Sequence, residues 1–239
     1  MFSTEPESDK TKTVCMAFNC PNKEQLANIV LNNDPLPWKT TAKHIGCILH
    51  DDGTMDHDIK IKQGIFINNC MNLNNEFSHV KPEHQVTLVN LYNAHFTGSA
   101  SWDFNSVPFQ QLVNSWNVNI RVIYDLDWAT HNYLCEELTG GKHAKQMLYK
   151  RFVNFLSSVA KNRRQALVAL LNTVKSDCRS LTGGNMRKIL LETGVKVQPG
   201  VTKGYVLSHY RVYETPAGQE WRVPLLQSLL EIRDDRWSL

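Results

Sequence analysis

Apolar residues recur at helical spacing from about residue 58 to residue 124. Steps of three and four residues place them on one helix face, which predicts three amphipathic helices in succession. Pro82-Glu83 begins the second helix, and Ser106 caps the third, with Pro108 in its first turn. The three stripes are Phe66, Cys70, Leu73 and Phe77; Val89, Tyr92 and Phe96; and Phe109, Leu112, Val113, Trp116, Ile120, Ile123 and Tyr124. They predict a small helical bundle over residues 58–130.

The chain before this bundle has the pattern of β structure. Residues 13–18 and 29–31 are short apolar runs, the turn cluster Asn32-Asn33-Asp34-Pro35 follows, and a third run covers residues 36–49. Two-stranded hairpins are marginally stable in water, and unpaired strand edges invite aggregation. We therefore interpret residues 13–50 as the end of a larger sheet.

Further helical stripes follow the bundle within residues 131–205. They are Leu148, Phe152, Phe155 and Val159; Leu167, Leu170, Leu171 and Val174; and Met186, Ile189 and Leu190. Thr182 is the predicted N-cap of the last helix, and Gly194 the predicted residue after its end. Residues 206–239 predict a strand and a terminal amphipathic helix. The predicted fold class is α+β, mostly α, with a short N-terminal β-hairpin region, a helical bundle and further basic helices.

Charge is distributed unevenly along the chain, although the formal net charge is only +3. Residues 1–143 carry a net charge of −6, residues 144–205 hold twelve Lys/Arg against two Asp/Glu, and the remaining residues carry −1. A strongly basic segment creates a positive field that suits phosphate backbones. The alternative interpretation is a set of solvated helix faces.

Composition narrows the class of protein. A chain of 239 residues with 42% hydrophobic residues has room for a core in one large domain or two small ones. It contains neither a run of eighteen apolar residues nor a signal-peptide pattern, so we expect a nuclear or cytoplasmic protein with no membrane partner. Six scattered cysteines with no C-x-x-C pair predict free thiols.

Eight local strings resemble, in order, the C-terminal part of reverse transcriptases from LINE-type (non-LTR) retrotransposons. They are Phe2-Ser3-Thr4 with Lys10-Thr11-Lys12-Thr13; Leu36-Pro37-Trp38 with Ala42-Lys43-His44-Ile45-Gly46; Leu91-Tyr92-Asn93 with Gly98-Ser99 and Trp102; Trp116-Asn117 with Arg121; Thr130-His131; Arg151-Phe152 with Phe155; Asp177-Cys178-Arg179-Ser180-Leu181-Thr182-Gly183 with Asn185; and Trp221-Arg222. Leu126-Asp127-Trp128 departs from the family, which usually has a proline after that leucine.

The resemblance implies a role for each part of the chain. Residues 1–57 would close the palm subdomain, with Lys12 as an auxiliary contact to the incoming nucleotide's phosphates. Lys43-His44-Ile45-Gly46 would form the hairpin that grips the primer strand. Residues 58–130 would be the thumb, and residues 131–205 a basic RNA-binding region.

The resemblance also implies what this chain lacks. Template-directed phosphoryl transfer needs carboxylates that hold two Mg²⁺ ions, and the family supplies them from palm motifs upstream of this sequence. Asp51-Asp52-Gly53 and Asp234-Asp235 do not replace them, because Leu49 and Ile232 stand where the family has an aromatic residue. We expect a fragment that is inactive as a polymerase by itself and binds no cofactor, with Mg²⁺ bound only when the missing palm is present.

Other candidate chemistry is weaker. Cys15 with Cys20, His131 with Cys135, and His79 with His84 lack the four convergent ligands of a structural zinc site. We interpret His131 as a residue that positions a helix. Gly183-Gly184 after Thr182 fits either an ordinary helix start or a phosphate-binding one. Trp102, Trp116, Trp128 and Trp221 are predicted core anchors rather than base-stacking platforms.

The sequence thus predicts an RNA-binding surface and no catalytic or metal residue. Its predicted members are Lys43, His44, Gly46, Lys150, Arg151, Arg163, Arg164, Arg179, Thr182, Asn185, Arg187 and Lys188. The expected partners are RNA, an RNA/DNA primer-template, and the palm and fingers of the same polyprotein, in a ribonucleoprotein. The alternative is a helical module derived from such an element that docks protein partners and has no nucleic-acid activity.

Overall fold

A computed structural model describes residues 13–22, 26–92, 96–140, 143–161, 169 and 179–192. The chain divides into two compact units, Met1–Asp58 and Ile59–Leu239. Lys12, Gly194, the helix predicted around residues 167–174 apart from residue 169, and the strand and helix predicted within residues 206–239 lie outside the described residues. The described part is mostly helical with short N-terminal hairpins, which confirms the predicted α+β, mostly α class.

Two antiparallel hairpins make up the regular structure of the N-terminal unit. Strands β1 (Val30–Leu31) and β2 (Asp34–Pro35) form the first, and β3 (Thr41–His44) and β4 (Cys47–His50) form the second. The predicted turn cluster is confirmed at Asn32-Asn33, with both residues at positive φ (53° and 66°), whereas Asp34 and Pro35 belong to β2. Asparagine tolerates the left-handed conformation because its short polar side chain hydrogen-bonds locally.

The long apolar run 36–49 is divided by the second hairpin turn. Ile45 has φ 46° and Gly46 has φ 79°. The left-handed conformation is unusual for a β-branched residue, and glycine takes the second such position without steric cost. Ile45 is 80% exposed at the tip of this turn.

Backbone hydrogen bonds, rather than a hydrophobic core, hold the described part of the N-terminal unit together. Cys15 N donates to Pro37 O at 3.0 Å, Lys39 N donates to Cys15 O at 2.9 Å, and Asn19 N donates to Asp51 O at 2.8 Å. None of its described residues is a buried hydrophobic side chain. The predicted run at 13–18 accordingly contributes a single β-bridge, between Cys15 and Trp38, instead of a full strand.

Six α-helices and one 3-10 turn follow in the described residues, and the unit boundary falls in the first turn of α1. They are α1 (Asp56–Glu76), α2 (Pro82–Tyr92), the 3-10 turn Ser99–Ser101, α3 (Val107–Ile123), α4 (Asn132–Leu138), α5 (Ala144–Ala160) and α6 (Leu181–Glu192). No helix in the described ranges has the length and apolar character needed to cross a membrane.

Helix α3 supplies the centre of the helical unit. Ser106 caps it by accepting a hydrogen bond from Phe109 N at 3.3 Å, and Pro108 lies in the first turn, as predicted. Its apolar face is fully buried at Leu112, Trp116 and Ile120. Burial of each side chain of this size contributes about 2 kcal/mol to stability.

Aromatic rings pack against this face at Trp116 and at Phe109, whose ring centroid lies 4.8 Å from that of Phe104. Phe66 of α1 stacks on Trp116 with ring centroids 5.0 Å apart. Phe104, in the loop before α3, contacts Tyr149 and Phe152 of α5 at 5.1 and 5.4 Å. The predicted stripes of α1, α3 and α5 therefore meet in one aromatic core.

Two predicted core residues are on the surface. Phe155 is 51% exposed and Trp128 is 69% exposed, so these two assignments were wrong. In α5 the buried face runs through Val153 and Leu156 instead, four and three residues along from Tyr149 and Val153. At 3.6 residues per turn, Leu148, Tyr149, Phe152, Val153 and Leu156 cover an arc of about 140°, and Phe155 lies about 20° beyond Leu148, just outside the edge of this buried face.

Candidate nucleic-acid interface

The basic segment keeps its charge excess in the described residues. Residues 143–161 and 179–192 contain seven Lys/Arg and one acidic residue, Glu192. Because α5 and α6 bury their apolar stripes, the charged side chains point outward or along the contact between the helices. The seven are Lys145, Lys150, Arg151, Lys161, Arg179, Arg187 and Lys188.

Two of these lysines form ion pairs or hydrogen bonds with other residues of the protein. Lys145 Nζ lies 2.5 Å from Glu136 Oε1 and 3.5 Å from Glu192 Oε2. Lys188 Nζ donates to Phe104 O at 2.6 Å and lies 3.9 Å from Glu192 Oε1, and burial lowers the pKa of this amine. Both lysines therefore join helices, and the predicted phosphate contact from Lys188 would require its present partners to be given up.

Three basic side chains face solvent without an ion pair in the described part of the chain. Lys150 lies on the exposed side of α5, Lys161 follows its last turn, and Arg187 lies on the exposed side of α6. Arg179, just before α6, is also exposed. Exposed cations of this kind interact with phosphates through long-range, salt-dependent attraction.

Arg151 lies beside a polar hollow at the start of the loop before α3. Its Nη1 donates a long hydrogen bond of 3.5 Å to Phe96 O. The hollow has a volume of about 350 Å³ and is lined by Arg151 and by residues 96–100. The sequence did not predict that residues 96–100 lie beside Arg151, because at least 51 residues of sequence separate Arg151 from them.

Asn185 occupies a structural position and not a surface one. It is fully buried, its Nδ2 donates to Trp102 O at 2.7 Å, and its Oδ1 accepts from Phe104 N at 2.9 Å. The predicted RNA contact by Asn185 is therefore corrected, because this side chain holds the 102–104 loop against α6.

The start of α6 also differs from the prediction. The helix begins at Leu181, so Thr182 lies inside its first turn and is not the N-cap. Ser180 has that role, because its Oγ accepts a hydrogen bond from Gly183 N at 3.0 Å. Gly183 is buried, which indicates an ordinary packed helix start rather than an open cradle for phosphate.

The hairpin residues predicted to grip a primer belong to the N-terminal unit. Lys43 and His44 are exposed at the end of β3, and Gly46 completes the turn to β4. Arg163, Arg164 and Lys12, the other predicted phosphate contacts, lie outside the described residues.

The helix-spaced pair His131 and Cys135 does not form a metal site. Cys135 is fully buried, its Sγ faces Asn117 O at 3.9 Å, and burial raises the pKa of the thiol. His131 is exposed and stacks on Tyr133 without capping α4 through its side chain. Arg121 has the positioning role instead, because its Nη2 donates to Thr130 O and to Asn132 Oδ1.

A different histidine joins α3 and α5 in the core. His143 is fully buried, its Nδ1 accepts from Lys145 N at 3.2 Å, and its Nε2 lies 2.8 Å from Asn117 Oδ1. An acceptor Nδ1 leaves the ring proton on Nε2, which donates to Asn117. Burial first, and the charge of Lys145 second, lower the pKa of His143 to about 3, so the imidazole is neutral.

Comparison with known proteins gives no relative. No protein-family model matches the chain, and neither a curated protein nor a solved structure is significantly similar to it. The function therefore has to be argued from the residues of this chain.

Proposed function

We propose that this chain holds nucleic acid, as the thumb and C-terminal region of a reverse transcriptase of the LINE type does. The observation that carries the proposal is the basic segment: its described stretches, residues 143–161 and 179–192, hold a single acidic residue and five exposed basic side chains, Lys150, Arg151, Lys161, Arg179 and Arg187. The ordered strings that resemble the family give this surface its expected partner, RNA or an RNA/DNA duplex.

Contacts between the quoted strings support the proposal. Asn185, in the string that begins at Asp177, donates a hydrogen bond to Trp102, in the string that begins at Leu91, across 83 residues of sequence. Arg121 bonds to Thr130, and Arg151 bonds to Phe96 beside Gly98. Residues that fix a fold through such contacts are the ones that a family with this fold would share.

The expected mode of binding follows from the kind of residue exposed. Lysine and arginine side chains on helices contact phosphates and release condensed counterions, so affinity depends on salt more than on sequence. An A-form duplex is recognised mainly by its shape and its backbone. We therefore assign this chain the holding of template and primer and assign the Mg²⁺-dependent chemistry to the family's palm carboxylates.

The test is a salt series of binding to a fluorescent RNA hairpin and to an RNA/DNA primer-template. The charge reversals Lys150→Glu and Arg187→Glu together should weaken binding and lower the slope of log K against log salt by roughly 1.5, at about 0.7 to 0.9 per lost phosphate contact. The matched control is the pair Lys60→Glu and Lys81→Glu, which changes net charge equally at exposed positions of the acidic part of the chain.

The control pair separates a specific role of the basic segment from a general effect of net charge. Loss of affinity confined to the Lys150 and Arg187 variant supports the proposal, and equal loss in both variants removes the basic segment from it. A further variant that reverses Arg163, Arg164, Arg179 and Arg187 to Glu extends the test beyond the described residues and should flatten the slope further.

A specific surface favours the alternative, a protein-docking module. The groove between α1 and α3 has a volume of about 410 Å³, and Ile67, Met71, Val118 and Val122 at its sides are 39–60% exposed. Apolar contacts of this kind respond little to salt. Absence of RNA binding at low salt would leave this groove as the better candidate site.

A further inference from the structure

Residues 50–58 form a short acidic stretch outside the basic segment. They read His-Asp-Asp-Gly-Thr-Met-Asp-His-Asp, with two histidines, four aspartates and no lysine or arginine. His50 ends β4, Asp52 lies in the following turn, and His57 lies in the first turn of α1. The concentrated negative charge attracts cations to this turn.

The turn brings three side chains that bind metals to one point. His50 Nδ1 lies 3.1 Å from Asp52 Oδ2, and His57 Nε2 lies 3.8 Å from the same oxygen. The two imidazole rings stack with centroids 3.8 Å apart. The ligand atoms of all three residues lie within 4.8 Å of one another, and no other group of three or more His, Cys, Asp or Glu in the described residues converges in this way.

These distances suit a tetrahedral ion. Bonds of about 2.0–2.1 Å to zinc place neighbouring ligand atoms roughly 3.3 Å apart. The observed 3.1 and 3.8 Å separations lie on either side of that value. The lone pairs of imidazole nitrogens lie in the ring planes, so His57 has to rotate out of its stack with His50 for both nitrogens to face one ion, and its 44% exposure leaves room for this rotation.

The carboxylate of Asp52 is fixed with one oxygen directed at the histidines. Asp52 Oδ1 accepts hydrogen bonds from Thr54 N at 2.8 Å and Thr54 Oγ1 at 3.0 Å. The backbone bond from Thr54 is the main cause that lowers the pKa of Asp52, so the group is ionised. Such outer hydrogen bonds orient a metal ligand.

The lone pair of His50 Nδ1 points into the turn as well. Asp52 N donates a long hydrogen bond of 3.3 Å to this nitrogen, and Asp51 Oδ1 lies 3.4 Å from it. A bond near the upper limit of hydrogen-bond length is readily exchanged for a metal bond. The side chains of His50 and Asp52 are 21% and 41% exposed, so an ion from solvent reaches them.

We propose that His50, Asp52 and His57 form a binding site for a divalent transition-metal ion, Zn²⁺ above all. The ligand atoms are Nδ1 of His50, Oδ2 of Asp52 and Nε2 of His57, and water takes the fourth position. Two imidazoles and one carboxylate select Zn²⁺ and its transition-metal neighbours over Mg²⁺, which prefers oxygen ligands in octahedral geometry. The ion ties the end of β4 to the first turn of α1. This site is independent of the proposed nucleic-acid function.

The first test is calorimetric titration of the full chain with Zn²⁺. We expect one ion per chain with micromolar or tighter affinity, unchanged by excess Mg²⁺. His57→Ala, His50→Ala and Asp52→Asn should each weaken binding at least tenfold. Asp52→Asn is the sharpest of the three, because asparagine keeps the Oδ1 acceptor for Thr54 and removes the Oδ2 ligand. His79→Ala and His84→Ala, at exposed positions in the helical unit, are the controls and should bind as the wild type does.

The second test is hydrogen exchange of the β3–β4 amides with and without Zn²⁺. Zinc at ten times its dissociation constant should slow exchange through local opening roughly tenfold, and His57→Ala should abolish the effect. The cobalt-substituted protein should show a visible tetrahedral d–d band that the same variant removes. No saturation of the wild type at millimolar Zn²⁺, undiminished binding in the His50 and His57 variants, or displacement by Mg²⁺ would each overturn the proposal.

Discussion

The buried histidine just before α5 makes the stability of this protein depend on pH in a calculable way. His143 has a pKa of about 3 in the folded chain because it is fully buried and lies near Lys145. An unfolded chain returns it to the ordinary value of about 6.5. Between these values the unfolded state binds a proton that the folded state does not bind, so the free energy of unfolding falls as pH falls below 6.5.

The size of this effect follows from the difference in pKa. Each pH unit between the two values is worth about 1.4 kcal/mol, so acidification from pH 7.5 to 4.5 should cost roughly 3 kcal/mol through His143 alone. A domain is typically stable by about 5–15 kcal/mol, so this loss is easily measured. Lowering the pH below 3 costs no more through this group, because both states are then protonated.

The assay is urea denaturation followed by tryptophan fluorescence at a series of pH values. Carboxylates also titrate in this range, so the comparison is between wild type and His143→Gln, which is neutral at every pH and can still hydrogen-bond. We expect the variant to be less stable at pH 7.5 and to lose roughly 3 kcal/mol less than wild type on acidification to pH 4.5. His84→Gln, at an exposed position of α2, is the control and should follow the wild-type curve.

Two results would refute this reasoning. Parallel stability curves for wild type and His143→Gln would show that His143 does not differ in protonation between the two states. A nitrogen or carbon NMR spectrum of the imidazole that shows a charged ring at pH 5 would contradict the Nε2–H tautomer that bonds to Asn117. If His143→Gln fails to fold, the NMR titration of the wild type by itself tests whether the His143 imidazole stays neutral at pH 5.

Further predictions concern two glycines, a buried amide and the protection of the N-terminal unit. Gly64→Ala should stabilise the protein by about 0.5–1 kcal/mol in thermal unfolding, because Gly64 is inside α1 and an added Cβ meets only open space; Gly140→Ala, at φ +54°, should destabilise it. Changes in stability of the same sign in the two variants would contradict this prediction. Asn185→Ala should cost about 3 kcal/mol in urea unfolding, since it removes the two buried hydrogen bonds of this side chain, to Trp102 O and from Phe104 N; a cost under about 1 kcal/mol would refute it. Without zinc, amides of residues 13–50 should exchange faster than those of α3, and equal protection would contradict the absence of a core among the described residues there.

Local signals made the helices and turns predictable. The stripes of α1, α3 and α6 fall on buried faces, and Ser106 caps α3 as its position before Pro108 indicates. The turn at Asn32-Asn33 needed only the backbone preference of asparagine. In each case the interacting residues are within a few positions of one another.

The candidate surface was predicted less well because exposure depends on distant partners. Sequence showed that residues 144–205 are basic, and Lys150 and Arg187 are indeed exposed. It did not show that Asn185 is bonded to a loop 83 residues away, or that Lys145 and Lys188 share Glu192. A lysine in the sequence looks the same whether it is exposed or paired, and only its neighbours in the folded chain decide which of the two it is.

The sequence by itself determined the class of the fold, the places where α2 and α3 begin and the excess of positive charge, since periodicity, capping and composition are properties of neighbouring residues. The tertiary structure alone decided which polar groups are buried and which converge. His143 is neutral because it is buried, and α3 supplies Asn117 as its hydrogen-bond partner. His50 lies against His57 because the chain reverses between β4 and α1. These contacts depend on how the backbone brings separate segments together, and that is a property of the folded chain as a whole.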